Sequence, residues 1–302
     1  MTNDNRMYKA LPVAKLAISA HSVDQYGVGT KRLRIGRSIS RLRTGQRSHN
    51  KVRSKGIRRQ KAGGASQMEL SIQELAAKHS ASKDANYLSF YASQFDGIRH
   101  QIKNVIELGV QGGGSVKMWR DYFPRAQIFG VDIDDCSAAA QGERIRFFQG
   151  RQEDGELLKM ITDQIEGGQF DIIIDDAAHF GLYSKLTYEH LFDGHLKPGG
   201  TYIIEDWGTG YWDDWPDGSR PDPVSHEMEN RDVKDTKFIY REDEATGLLP
   251  RTFHSHQCGM VGFVKQLVDE SHHGAIKTAI PRRTSKFQYM IVTEGVVLIK
   301  KK

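Results

Sequence analysis

Seven short apolar runs separated by amphipathic or polar stretches set the pattern of the chain. Residues 104–110 have the β-branched, apolar character of a buried parallel strand and run into Gly109, Gly112, Gly113 and Gly114, after which residues 115–122 can start a helix. Residues 128–131, 144–148, 170–174 and 202–204 read as four more strands. Residues 287–292 and 296–299, parted by Thr293, Glu294 and Gly295, read as a closing hairpin. Helices are predicted at residues 68–77, at Tyr87, Phe90, Tyr91 and Phe95, and after Arg151 with Leu157 and Leu158 inward. A last one is predicted at residues 259–270, with Val261, Val264, Leu267 and Val268 on one side. Strands alternating with helices predict an α/β fold, its sheet mostly parallel with an antiparallel hairpin at the C-terminus.

Charge divides the chain in two. Residues 1–66 hold 16 Lys plus Arg against Asp4 and Asp24, a formal +14, whereas the rest holds 27 basic and 36 acidic residues, −9. This gives a basic, disordered extension over 1–66 and one domain over 67–302, long enough to bury a full core. The extension suits either non-specific contact with a polyanion or a solvated arm with no dedicated partner. Tyr8 and Tyr26 lie outside its most basic run, which weakens a base-stacking role. Cys136 and Cys258 lack metal spacing and are too few for a disulfide scaffold, pointing to a reducing, cytoplasmic setting. No membrane span is expected, since no run of 18 apolar residues occurs, and Lys15 interrupts residues 11–20, against a secretory signal.

The first strand, its glycine turn and the following helix are what a nucleotide-like ligand needs. Gly109 and Gly112 let backbone approach the ligand, and the helix N-terminus offers unpaired N–H groups. Asp132 follows Gly109 by 23 residues and ends the second strand, where a carboxylate can accept from both hydroxyls of a ribose. The glycines miss the strict G-x-G-x-x-G spacing, and Glu107 makes the motif E-x-G-x-x-G. A carboxylate there is awkward beside a pyrophosphate and tolerable beside a sulfonium.

Charge also clusters at two later strand ends. Asp175, Asp176 and His179 follow one strand, and Glu205 and Asp206 follow the next. The carboxyl edge of an open parallel sheet is where ligands bind. Asp176, Glu205 and Asp206 offer hard oxygen ligands for Mg²⁺ or a similar ion, and His179 can take a proton from a hydroxyl held nearby. Polar residues after the third strand, Gln152 among them, can read an adenine edge, and Lys83 or Asn86 can face the pocket from the aromatic helix. Residues 213–230 suit an acceptor lid or a solvent loop, while His254, His256, His272 and His273 read as ordinary polar positions.

The segments ELGVQGGGSVKMWRDYFPRAQIFGVDID, GRQED, FDIIIDDAAH, HLKPGGTYIIEDWGTGYW and GFVKQLVDE resemble the metal-dependent macrolide sugar O-methyltransferases of the mycinamicin and tylosin type, within a wider group that includes cephalosporin hydroxylase-like proteins. The resemblance covers residues 79–300. It implies a Rossmann-like class I methyltransferase fold, S-adenosylmethionine and Mg²⁺ as cofactors, and methyl transfer to a hydroxyl of a sugar or other diol-bearing small molecule, such as a glycoside. Asp176, Glu205 and Asp206 fall on its magnesium-ligand positions and His179 on its base. Glu107, Gly109 and Asp132 fall on its adenosylmethionine positions, with Gln152 and Asp175 as additions. Cys136 stands where many members have lysine, Ala178 replaces the usual serine, and residues 213–223 differ from the loop after Tyr-Trp, so the acceptor is left open, as is homo-oligomerisation. A hydroxylase-like enzyme of the same fold group and a polyanion-binding protein acting through the arm are the alternatives. Deleting residues 1–66 is expected to leave the cooperative melting transition of the domain intact, and loss of that transition would make the arm structural.

Overall fold

Three consecutive isoleucines, Ile172, Ile173 and Ile174, form the centre of a strand that is buried along its whole length. Its neighbours explain that burial. In the computed structural model, which describes residues 69–212, 215–219, 244–246, 248 and 259–302, seven strands form one sheet in the order β3-β2-β1-β4-β5-β7-β6. They are β1 (Asn104–Leu108), β2 (Gln127–Asp132), β3 (Ile145–Gln149), β4 (Phe170–Asp175), β5 (Leu196–Glu205), β6 (Phe287–Val292) and β7 (Val296–Lys301). The first five are parallel, and β7 runs antiparallel between β5 and β6. This is the Rossmann-like arrangement that the resemblance implies, with its sheet mostly parallel and its end an antiparallel hairpin.

The helices are α1 (Ile72–His79), α2 (Ala85–Phe95), α3 (Gly114–Tyr122), α4 (Gly155–Thr162), α5 (Gly181–His195), α6 (Pro216–Ser219) and α7 (Gly259–Ser271). Alternation along each strand divides the core into two layers. Val105, Ile172, Ile174 and Ile203 meet α1, α2 and α3 through Leu75, Tyr91, Phe95, Trp119 and Tyr122. Ile106, Leu108, Ile173 and Ile204 meet α4, α5 and α7 through Ile161, Leu191, Phe192, Val264 and Leu267. Each fully buried aliphatic side chain contributes roughly 2 kcal/mol of transfer free energy. On α7, Val261, Val264 and Leu267 are buried as expected, but Val268 is exposed, because the buried face centres on Met260, Val264 and Leu267.

Local sequence sets the helix starts. A capping box opens α1, with Glu74 N–H donating to Ser71 Oγ at 3.3 Å and Ser71 N–H donating to Glu74 Oε2 at 2.8 Å. Asp84 caps α2 by accepting from Asn86 N–H at 2.7 Å, which fixes the short segment between the two helices that carries Lys83. The 1–66 extension, most of the 213–230 loop, His254, His256 and Cys258 lie outside the described residues, among which no helix is long and apolar enough to cross a membrane.

Asp217 joins two helix starts. One oxygen, Oδ2, accepts from Gly181 N–H and Met260 N–H, both at 2.7 Å, so one buried carboxylate serves α5 and α7 together. Burial pushes the Asp217 pKa up to about 6, only partly offset by those two donors. The folded-state value lies above the ordinary one, so Asp217's contribution is fully present below about pH 4 and falls as pH rises through 6. Asp217→Ala is expected to cost about 2–4 kcal/mol by stranding two buried donors. Asp217→Asn keeps an acceptor, so its denaturation midpoint is expected to fall less and to lose this part of the pH dependence.

Candidate active site

The loop after β1 cannot be built from ordinary residues. Gly109 has φ +91°, and a Cβ there would lie 2.0 Å from the Asp176 carbonyl oxygen. Gly109 N–H donates to the Val131 carbonyl at 2.8 Å and Asp176 N–H to the Leu108 carbonyl at 2.9 Å, so the loop is bonded to the ends of both neighbouring strands. Asp132 Oδ2 accepts from Val110 N–H and Gln111 N–H, each at 2.8 Å. That carboxylate shapes the glycine turn while retaining lone pairs for another donor.

A cavity of about 490 Å³ opens over this loop, bounded by Gly109, Gly112 and Asp132 towards β2 and by Asp176, His179 and Asp206 towards β4 and β5. Lys83 lines it from the α1–α2 segment. Gly109, Gly112 and Asp132 therefore stand where the sequence predicts a ligand-binding loop. Glu107, Gln152 and Asp175 do not line the cavity. Glu107 is fully buried beneath the loop, accepting from Ser115 Oγ at 2.6 Å and Trp119 Nε1 at 3.0 Å. Gln152 Nε2 donates to Asp175 Oδ1 at 2.9 Å, and its Oε1 accepts from Ala178 N–H at 2.9 Å. That pair braces the turn leading to His179 from the α5 side. Burial raises the Asp175 pKa to about 6 against the pull of Ser184, His179 and Gln152.

The strand pleat separates the neighbouring acids. Asp175 follows Ile173 to the α4–α5 face, so Asp176, one residue on, reaches the cavity. Glu205 follows Ile203 to the α2 face, where Oε1 accepts from Tyr91 Oη at 2.7 Å and from Lys83 Nζ at 2.8 Å. Among the described residues, the side chains whose ligand atoms converge are Asp176, His179 and Asp206, all within 4.8 Å of one another. The predicted ligands Asp176 and Asp206 meet there with His179, whereas the structure turns Glu205 to Lys83 and Tyr91. The two carboxylates, with no thiolate beside them, fit a hard divalent cation such as Mg²⁺, for which the imidazole is the poorer ligand of the three.

His179 and Asp206 both adopt left-handed backbone, at φ +50° and +53°. Such strain persists only where the surroundings over-determine it. The His179 carbonyl accepts from Thr209 Oγ1 at 3.0 Å and Trp215 Nε1 at 2.9 Å. Held this way, His179 Nε2 lies 3.8 Å from Asp176 Oδ1 and 3.7 Å from Asp206 Oδ2. The second Asp206 oxygen, Oδ1, accepts from Tyr87 Oη.

Lys83 is the cation of the site. Its side chain is 1% exposed, with Nζ 3.1 Å from Glu107 Oε1, 2.8 Å from Glu205 Oε1 and paired with Asp176 Oδ2. Burial opposes its charge, but Glu205, Glu107 and Asp176 together hold its pKa well above the ordinary lysine value. Sequence reasoning places Lys83 near the pocket without its partners, and it takes Tyr87 and Tyr91 chiefly as packing aromatics. Only their helical spacing towards one face hints at hydroxyls shared between the two strand ends.

No protein-family profile matches the chain. Mycinamicin VI 2''-O-methyltransferase of Micromonospora griseorubida is 41% identical over 140 residues, covering 44% of this chain and 34% of that protein. The 8-demethyl-8-alpha-L-rhamnosyl tetracenomycin-C 2'-O-methyltransferase of Streptomyces olivaceus is 31% identical over 208 residues, covering 66% of this chain and 45% of that protein. The solved structure of MycE methyltransferase from the mycinamycin biosynthetic pathway, in complex with Mg and SAH, aligns with TM-score 0.59 and 27% identity over 78% of this chain and 55% of that one. The chain thus spans less than half the length of these curated relatives.

The Gly109 contact with Asp176 makes this glycine a direct test of the site's architecture. Gly109→Ala combines a forbidden φ with a backbone clash, and is expected to cost on the order of 3 kcal/mol in a chemical denaturation. Gly112→Ala, whose Cβ meets nothing within 4 Å, is expected to fold normally.

Proposed function

We propose, for a chain that belongs with the class I S-adenosylmethionine-dependent methyltransferases related to the macrolide sugar O-methyltransferases, the transfer of a methyl group from S-adenosylmethionine to a hydroxyl of a sugar or other diol-bearing small molecule. The observation that carries this reading is one cavity holding the Gly109–Gly112 loop and Asp132 on one side and Asp176, His179 and Asp206 on the other. Likeness to relatives that methylate sugar hydroxyls supports it.

Each group has a part in the proposed reaction. Asp132, with its remaining lone pairs, would accept from the ribose hydroxyls of the adenosyl moiety, and the open face at Gly112 would admit that moiety against backbone. Asp176 and Asp206 would hold Mg²⁺ through the oxygens that face His179, with Glu205 beside them through its partnership with Lys83. When bound, S-adenosylmethionine supplies the methyl group, and Mg²⁺ supplies positive charge that acidifies an acceptor hydroxyl. His179 takes the hydroxyl proton at Nε2, so that a C–O bond replaces the S–C bond and S-adenosylhomocysteine departs neutral. With the loop on one wall of the cavity and the carboxylates on the other, donor and acceptor would be held together, which converts a bimolecular encounter into an oriented one.

A panel of diols, glycosides and aminosugars with labelled S-adenosylmethionine, assayed with Mg²⁺ and with chelator, tests the reading. Asp132→Ala is expected to weaken cofactor binding in calorimetry at least about tenfold. Asp176→Asn and Asp206→Asn are expected to cut metal-dependent turnover by orders of magnitude with cofactor binding retained. His179→Ala is expected to lose roughly 10²- to 10⁴-fold in the chemical step, with a residual rate that rises with pH. Full methyl transfer in chelator, or an unchanged rate in His179→Ala when chemistry limits turnover, would refute this mechanism.

A further inference from the structure

We infer that Lys83 is a built-in counter-cation, a positioning residue that holds the acidic centre together when no metal ion is bound and fixes which carboxylate oxygens are left to one. The inference rests on the metal-assisted reading above for its second half, and on the geometry of the protein alone for its first.

Donors from the described residues occupy both oxygens of Glu107 and one oxygen each of Asp176, Glu205 and Asp206. Lys83 Nζ carries three protons and reaches three carboxylates, Glu107, Asp176 and Glu205, with its side chain sealed from solvent. Tyr91 Oη adds a second donor to Glu205 Oε1, and Tyr87 Oη engages Asp206 Oδ1. Asp176 Oδ1 and Asp206 Oδ2, the oxygens that approach His179 Nε2, are left without a donor among the described residues, as is Glu205 Oε2. Tyr87 on α2 and Lys83 just before its cap thus each hold one oxygen of Asp206 and of Asp176 and leave the other oxygen of each towards His179, while Tyr91 and Lys83 together hold Glu205 Oε1.

Charge points the same way. Glu107, Asp176, Glu205 and Asp206 carry a formal −4, and Lys83 reduces it to −3. Without Lys83, Glu107, Asp176 and Glu205 would face one another with no lysine or arginine of the described residues bonded to them, and like charges at such range repel strongly in a dry site. Lys83 is also delivered independently of the acids. It sits between the left-handed Ser80 that ends α1 and the Asp84 cap of α2, while the start of α3 packs against the same segment, leaving no room for a Cβ at Gly114 beside the Ser80 and His79 carbonyls.

Thermal melts of the full chain at mildly alkaline pH, in chelator and in millimolar Mg²⁺, test the inference with Lys83→Met, Glu205→Gln and the double variant. Lys83→Met is expected to lower Tm in chelator by roughly 8–15 °C, the scale of a broken buried ion pair in a domain of this size. Glu205→Gln placed on top is expected to return much of that loss in chelator, because a neutral pair replaces an orphaned carboxylate. Mg²⁺ is expected to raise the Tm of Lys83→Met by more than that of the wild type. A Lys83→Met protein that melts with the wild type in chelator overturns the inference. So does a loss that Glu205→Gln leaves untouched, which is the mark of packing alone. If Lys83→Met does not fold, absence of a cooperative transition in the double variant is equally decisive. Calorimetry of Mg²⁺ into the wild type keeps the two readings apart: no binding there overturns the metal assignment, while the Glu205→Gln rescue still measures the role of Lys83.

Discussion

The close approach of Gly109 to the backbone of Asp176 is the constraint on which the site depends. Because β1 and β4 are adjacent and parallel, their carboxyl ends lie side by side, and the absence of a Cβ at Gly109 lets the two turns touch. A glycine loop and an acidic turn that are 67 residues apart in the chain become two walls of one cavity. Asp132, tied to the loop by two backbone donors, brings the end of β2 into the same frame.

A second constraint is electrostatic. Carboxylates from β1, β4 and β5 crowd a largely dry region, and the protein meets their mutual repulsion with a buried lysine, two tyrosine hydroxyls and the Ser115 and Trp119 donors. Those donors take up one side of the cluster and leave the other side free, so the residual negative charge faces the cavity. The strained backbone at His179 and Asp206 belongs to the same design. The Thr209 and Trp215 bonds hold a conformation that an unconstrained chain would leave.

Much of the fold was legible because its strands are apolar and β-branched, and the terminal hairpin because a short polar turn splits two such runs. Other elements were hidden for physical reasons. Helix α5 buries Gly181, Ser184 and Thr187 before Leu191 and Phe192, so its inward stripe is written in small polar residues that carry no hydrophobic signal. The start of β5, Leu-Lys-Pro-Gly-Gly, lies ahead of the strand expected at residues 202–204, yet Leu196 pairs with Phe170 across an irregularity in the ladder. Val268 fits a helical stripe on spacing alone but falls outside the arc that the sheet covers.

The sequence by itself determined the succession of the seven strands and of the helices other than α5 and α6, the glycine loop, and the presence of acids at the ends of β2, β4 and β5, since each is a local matter of composition and spacing. Which acid faces what was decided only by tertiary structure. In the pairs Asp175–Asp176 and Glu205–Asp206 chemistry is nearly identical, and a one-residue step of the pleat sends one member to the interior and the other to the cavity. Whether Glu107 meets a ligand or a tryptophan depends on where α3 lies, and the partners of Lys83 depend on three strands meeting beneath α2. Those are long-range contacts, set by the packing of layers rather than by any neighbour in the chain.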